Sequence, residues 1–287
     1  NLKRQLNTPV VCMLQGEDSF LDSLPEPHSG QTWKALAERC RDVDLFIAPS
    51  RYFGELMTRR LNLTPDRVRV VYNGINLDGY KVAPLKLEPP VIGYFARMCR
   101  EKGLHTLVDA FIQIKKRNKI PGVQLFVGGG LGPADESFVA ELKQLLQQHG
   151  QLEAVQFFPN VTREEKQEFY RKLTVFSVPA LYGEAFGLYL VEAWASGIPV
   201  VQPRHAAFPE LVGLTGAGEI VDGNADALSL GLENLLLNDQ RLSELGKRAR
   251  RSVEEQLNVT VMTQGILDAL TETIARCNPQ NPTTVST

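Results

Sequence analysis

The sequence contains no run of about 20 apolar residues, so no segment of it reads as a membrane-spanning helix. Its first residues, Asn1 to Leu6, carry charge but no long apolar core after it, so they are not expected to form a signal peptide. Charge of one sign is lacking too. Lys+Arg number 31 against Asp+Glu 33, a net charge of -2, which predicts no general attraction to nucleic acid or anionic lipid. The four cysteines (Cys12, Cys40, Cys99 and Cys277) lie far apart and form no CxxC pair. That argues against a zinc site and for reduced thiols in a cytosolic protein. Internal repeats and low-complexity runs are absent. Three Asn-x-Thr sequons, at Asn62, Asn160 and Asn258, read as chance without an export signal.

What remains is an ordinary globular composition, 43% hydrophobic and 22% charged. At 287 residues the chain exceeds one typical domain yet is thin for two large α/β domains. It starts at Asn rather than Met, and a truncated, incomplete or naturally shortened chain is expected.

Strand-like runs at Val10–Leu14, Leu45–Ala48 and Val68–Tyr72 alternate with helices near 31–41 and 51–61. Ser50 is placed to cap the second of these helices. Residues 82–90 hold three prolines and read as a linker. From Val91 the pattern is regular. Strands at 91–96, 123–127, 155–158, 175–178 and 198–201, with a short one at Ile220–Val221, alternate with helices at 104–117, 136–149, 163–173 and 187–196. Helices at 225–237, 240–256 and 259–275 close the pattern. Short, uniformly apolar strands between helices predict a parallel sheet covered on both faces. The expected organisation is a partial α/β domain over 1–81, a linker over 82–90, a complete doubly wound Rossmann-type domain over 91–275 and a polar tail over 276–287.

Ligands in such a sheet bind in the loops at the carboxyl ends of the strands. Three of those loops carry chemistry. The segment from Tyr94 to Gly103 places Arg97, Arg100 and Lys102 directly before a helix N-terminus. Cations there are disfavoured unless an anion joins them; the alternative is a solvated basic loop partly neutralised by Glu101. Gly128-Gly129-Gly130-Leu131-Gly132-Pro133 follows a strand and precedes a helix. It departs from GxGxxG at Pro133 and lacks the Lys-Ser/Thr of a P-loop. Its glycines permit close backbone approach by a ligand, and a plain flexible turn accounts for it equally. The third loop is the most informative. Between Leu173 and Pro203 the only charged residues are Glu184 and Glu192. Glu192 lies in Leu188–Ala195, apolar nearly all round, and a buried carboxylate is costly without a partner. Either a cation distant in sequence pairs with it or ligand hydroxyls do. The amides of Phe186, Gly187 and Leu188 begin the helix, so they add an anion site between two carboxylates. A nucleotide sugar has that layout of sugar hydroxyls, diphosphate and ribose hydroxyls.

Glu184-x7-Glu192 enclosing Phe186-Gly187, followed by Ala195-Ser-Gly-Ile-Pro-Val-Val201, resembles the donor signature of family 4 retaining glycosyltransferases of the GT-B fold. Arg97-x4-Lys102-Gly103 resembles that family's diphosphate-binding pair, and Pro49-Ser50 and Val71–Ile75 its interdomain segments. The resemblance implies a GT-B-like α/β fold, with one complete domain plus part of a second. It implies a retaining, metal-independent hexosyltransferase with no cofactor and a UDP-, GDP- or ADP-sugar as donor. Arg97, Lys102 and Glu184 would be catalytic. Phe186, Gly187, Leu188, Glu192, Gly129, Gly130, Asn160 and Val161 would hold the donor, with Glu192 on the ribose and the Asn160-Val161 turn along the base. The acceptor would be a saccharide, a lipid-linked sugar or a small molecule. The location would be cytoplasmic or peripheral to the inner membrane, with no contact to nucleic acid. One departure stands out. Where the family commonly ends its first such strand in a His facing the cleft, this chain has Gln15, and neither His28 nor His105 is well placed to replace it. A nucleotide-sugar-binding module without turnover fits the donor motifs equally; a sugar-nucleotide epimerase of similar two-domain build is a weaker reading, which these motifs argue against.

Overall fold

The computed structural model describes residues 2–84 and 88–277. The chain divides into two compact units, 1–74 with 259–287, and 75–258.

The first unit begins with the short helix α1 (Leu2–Leu6), followed by β1 (Val11–Met13), α2 (Asp18–Ser23), α3 (His28–Cys40), β2 (Leu45–Ala48), α4 (Arg51–Arg60) and β3 (Val68–Val70). Its three strands form a parallel sheet in the order β1-β2-β3, with Val11 opposite Leu45 and Phe46 opposite Val68. All four residues of β2 are buried, as its uniformly apolar sequence predicts for a central strand. The Ser50 hydroxyl accepts from the Phe53 amide at 3.0 Å and caps α4 as expected.

The second unit runs β4 (Val91–Phe95), α5 (Leu104–Arg117), β5 (Gln124–Gly129), α6 (Glu136–Gln148), β6 (Val155–Pro159), α7 (Arg163–Tyr170), β7 (Val175–Phe176), α8 (Leu188–Ala195), β8 (Val200–Pro203), α9 (Phe208–Thr215), β9 (Gly218–Val221), α10 (Ala225–Leu236) and α11 (Asp239–Glu255). Its six strands are all parallel, in the order β6-β5-β4-β7-β8-β9. This is the doubly wound arrangement expected from the alternation. The apolar stripe of α5 is buried from Leu104 to Ile114, and a Thr162/Glu165 capping box starts α7. Helix α9, with Pro209 near its start, is absent from the sequence expectation.

The last helix, α12 (Val259–Cys277), belongs with the first unit rather than with the domain expected to end at residue 275. Ala269 joins Leu45 and Ile47 of β2 in one core, with Val11, Val71 and Ile266 packed against it. Periodicity marks the apolar face of such a helix but not the sheet it covers. The 82–90 segment divides likewise. Residues 85–87 lie outside the described residues, and the Ala83 amide donates to the Ser196 carbonyl at 2.9 Å within the second unit. The expected polar tail falls on 278–287, also outside the described residues.

Candidate active site

The strand order of the larger sheet reverses between β4 and β7. The connections leaving these strands turn to opposite faces and open a crevice at their carboxyl ends. The loop after β4 carries Arg97 and Lys102; the loop after β7 carries Glu184. The two loops interlock. The Leu181 amide donates to the Glu101 carbonyl at 2.9 Å. Gly103 has φ +71° and lies so close to the Pro179 carbonyl that a β-carbon would overlap its oxygen.

That approach brings Lys102 and Glu184 together across 82 positions of sequence. The Lys102 ammonium is 2.6 Å from Glu184 Oε2, with side chains 19% and 13% exposed. The Tyr182 and Tyr189 hydroxyls donate to the same Oε2 at 3.1 and 2.9 Å, leaving Oε1 without a hydrogen bond among the described residues. Lys102 also donates to the Tyr182 hydroxyl and sits over the Tyr182 and Tyr189 rings, 4.7 and 5.4 Å from their centroids. Burial, followed by the Glu184 charge, holds the Tyr189 phenol well above its ordinary value, so it remains a neutral donor.

Arg97 separates from Lys102. Its Nε donates to Asp135 Oδ2 at 2.8 Å and its Nη2 to Oδ1 at 3.1 Å. The arginine side chain is 62% exposed and the aspartate 10%. The glycine loop is built on the same edge. Gly129 has φ +125°, and a β-carbon there would overlap the Ala96 carbonyl; Gly130 meets nothing within 4 Å. The Met98 amide donates to the Gly130 carbonyl at 2.8 Å, tying this loop to the basic one. Asn160, with φ +53°, donates its backbone amide to the Gly129 carbonyl at 2.9 Å. Its side chain pairs with the backbone of Leu131 in both directions, at 2.9 and 3.0 Å. The glycines, Arg97 and Asn160 are thus one assembly, and Val161 follows at its half-buried edge.

Helix α8 starts beside them. Gly187, at φ +91°, turns the chain into the helix, Phe186 is buried and Leu188 is exposed. Glu192, one turn on, forms its own cluster and touches neither Lys102 nor Arg97. Its Oε1 accepts from Lys166 Nζ at 2.5 Å and from the Tyr80 hydroxyl at 3.1 Å. Its Oε2 accepts from the Tyr170 hydroxyl at 3.1 Å. A carboxylate has about four acceptor sites, so roughly one is left for a ligand hydroxyl. Of the two partners open from sequence, the distant cation is therefore present. Burial, followed by the Glu192 charge, raises the Tyr80 and Tyr170 phenols well above their ordinary value.

Sequence reasoning missed Asp135, Lys166, Tyr170 and Tyr80, because nothing in spacing marks partners 22 to 112 positions away; it also missed Tyr182 and Tyr189, two and five positions from Glu184, which carry no charge to mark them. It also missed the loop after β8. There the Ala207 amide donates to the Glu184 carbonyl at 3.3 Å, Ala206 has φ +51°, and His205 Nε2 is buried without a partner. His28 is exposed at the start of α3, and His105 packs on Phe138 with its pKa lowered by burial and then by Arg100. In the first unit, Gln15 is exposed and accepts from Asn73 Nδ2 at 3.3 Å. Among the described residues no three His, Cys, Asp or Glu side chains are grouped to hold a metal ion, and no helix is long and apolar enough to cross a membrane.

Comparison with known proteins identifies the family. The family model for glycosyl transferases group 1 matches residues 80–252, and that for glycosyltransferase family 4 matches residues 1–78. The chain is similar to a D-inositol 3-phosphate glycosyltransferase of Mycobacterium sp. (strain KMS). The two are 31% identical over 194 residues, which cover 64% of this chain and 42% of that protein. It is similar to the putative colanic acid biosynthesis glycosyltransferase WcaL of Escherichia coli (strain K12). They are 29% identical over 222 residues, covering 74% of this chain and 53% of that protein. The chain thus spans about half the length, or less, of these curated relatives. Among solved structures it resembles Anabaena HepE in complex with UDP, with a TM-score of 0.80 and 23% identity, covering 94% of this chain and 74% of that one. This likeness shows the fold, which is GT-B-like.

Proposed function

The chain belongs to the glycosyl transferases group 1, and from that premise we propose that it moves a sugar from a nucleotide-diphosphate donor to an acceptor with retention of configuration. The observation that carries this reading is the Lys102–Glu184 pair at 2.6 Å, formed between the loops that leave β4 and β7, where the sheet reverses its order. Arg97 and Lys102 neutralise the diphosphate and the charge that grows on it as it departs, the kind of preorganised electrostatic stabilisation that dominates many active sites. Glu184 presents its unbonded Oε1 to the donor-sugar hydroxyls, with Oε2 fixed by three donors. The Gly187 and Leu188 amides face phosphate or sugar, Glu192 takes a ribose hydroxyl with its remaining acceptor site, and Asn160-Val161 lines the base.

In a front-face displacement, the acceptor oxygen bonds the anomeric carbon on the side from which the diphosphate leaves. The carbon–oxygen bond to phosphate breaks, its electron pair stays on the phosphate oxygen, and the acceptor proton passes to that oxygen. Retention follows, and a metal is not needed where two cations hold the leaving group. The acceptor is a saccharide, a lipid-linked sugar or a small molecule such as a polyol phosphate.

A second reading, nucleotide-sugar binding without turnover, is favoured by one observation: the first unit has three strands against six in the second. A thermal-shift screen of UDP, GDP and ADP and their sugars, with UDP first because HepE carries it, tests the donor site. Stabilisation by none of them refutes both readings; stabilisation with neither transfer nor donor hydrolysis selects the second.

A further inference from the structure

We propose that Asp135 is a positioning residue for Arg97, aiming the guanidinium at the diphosphate of the donor. The inference rests on the donor-site reading above and assigns the site a member outside its sequence motifs. Asp135 stands at the N-cap of α6, a position where aspartate ordinarily accepts from the first free amides of its own helix. Here it makes no capping bond, and both oxygens go to Arg97, 38 positions away, in a bidentate pair of 2.8 and 3.1 Å.

The asymmetry of exposure gives the pair its direction. The aspartate is buried and fixed by the loop that leaves β5, whereas the arginine side chain is 62% exposed. An exposed arginine without such an anchor would sample many rotamers, and ordering it on a ligand would cost that rotamer entropy. The fork uses two of the five guanidinium donors, leaving three for phosphate oxygens. The anchor lies on the same loop system that Asn160 pins to Gly129 and Leu131. The base side of the site and its phosphate side are thereby held to one frame.

The test is calorimetry with the nucleoside diphosphate that stabilises the chain most, on four proteins: wild type, Asp135→Asn, Arg97→Ala and the double variant. Asp135→Asn keeps shape and one acceptor, so folding is preserved; thermal melting checks it. The expected result is a diphosphate affinity about 5- to 10-fold weaker in Asp135→Asn, with affinity for the parent nucleoside unchanged. No further loss is expected when the substitution is added to Arg97→Ala. A loss of equal size for nucleoside and diphosphate, or an equal loss in the Arg97→Ala background, makes Asp135 structural and overturns the inference. So does an unchanged diphosphate affinity. If Arg97→Ala itself leaves diphosphate binding unchanged, the donor-site reading has failed first, and the inference fails with it.

Discussion

Replacing Lys102 by alanine removes the cation nearest to Glu184, and the structure sets the size of the effect. A charge-assisted hydrogen bond contributes about 1.5–3 kcal/mol. Lys102 already has Glu184 at 2.6 Å, so diphosphate binding exchanges or shares one anionic partner for another, which pulls the net loss toward the low end. Removal of the ammonium also leaves the Glu184 charge facing the diphosphate without neutralisation, which raises the loss again. We expect about 2 kcal/mol, or some 30-fold in affinity, measured by calorimetry. Adding Glu184→Gln to Lys102→Ala removes the bare charge and should restore roughly 1 kcal/mol, a coupling typical of residues in direct contact. Stability changes less than for a fully buried pair, where breaking one partner costs about 3–5 kcal/mol. Glu184 keeps the hydroxyls of Tyr182 and Tyr189, so a cost of about 1–2 kcal/mol is expected in thermal melts. Unchanged diphosphate affinity in a folded Lys102→Ala protein, or losses that simply add in the double variant, would refute the reasoning.

Glu192→Gln leaves Lys166 without its counter-charge; it should lower ribonucleotide affinity about 3- to 10-fold while the protein stays folded, and loss of the fold would mark the carboxylate as purely structural. Gly129→Ala should destabilise the second unit by about 3 kcal/mol or more, combining positive φ with a backbone clash, whereas Gly130→Ala should lie within about 0.5 kcal/mol of wild type in denaturant melts and weaken only ligand binding. Burial raises the Glu233 carboxyl, and Arg117 at 2.8 Å and Lys119 at 3.0 Å more than offset it, leaving its pKa below the ordinary 4.5. Because the folded-state pKa is depressed, this stabilisation is present above pH 4.5 and is lost as pH falls through the lowered value. Unfolding free energy against pH should therefore fall less steeply below pH 4.5 in Glu233→Gln, from a neutral-pH value already reduced by about 3 kcal/mol.

Much of the second unit was legible because local and global signals agree there. The spacing of Leu104, Leu107, Val108 and Phe111 defines α5 to the residue, and the uniformly apolar strands fix a parallel sheet with its functional loops at one edge. Glu184 and Glu192 stood out as the only charges in a long apolar stretch. Their partners did not. Lys102 reaches Glu184, and Lys166, Tyr170 and Tyr80 reach Glu192, only through a fold that brings separate loops and helices together. The same holds for Arg97, which the sequence groups with Lys102 and the fold gives to Asp135. Helix α12 has the apolar face its periodicity predicts, but only packing decides that Ala269 meets Leu45 and Ile47.

The most direct test of the donor site is a crystal structure of the chain with the nucleoside diphosphate that stabilises it most. The account predicts the diphosphate within hydrogen-bond distance of both Arg97 and Lys102, and a ribose hydroxyl on Glu192. A nucleotide bound away from the crevice between β4 and β7, with Lys102 still closed on Glu184 and no contact to Arg97, would contradict it.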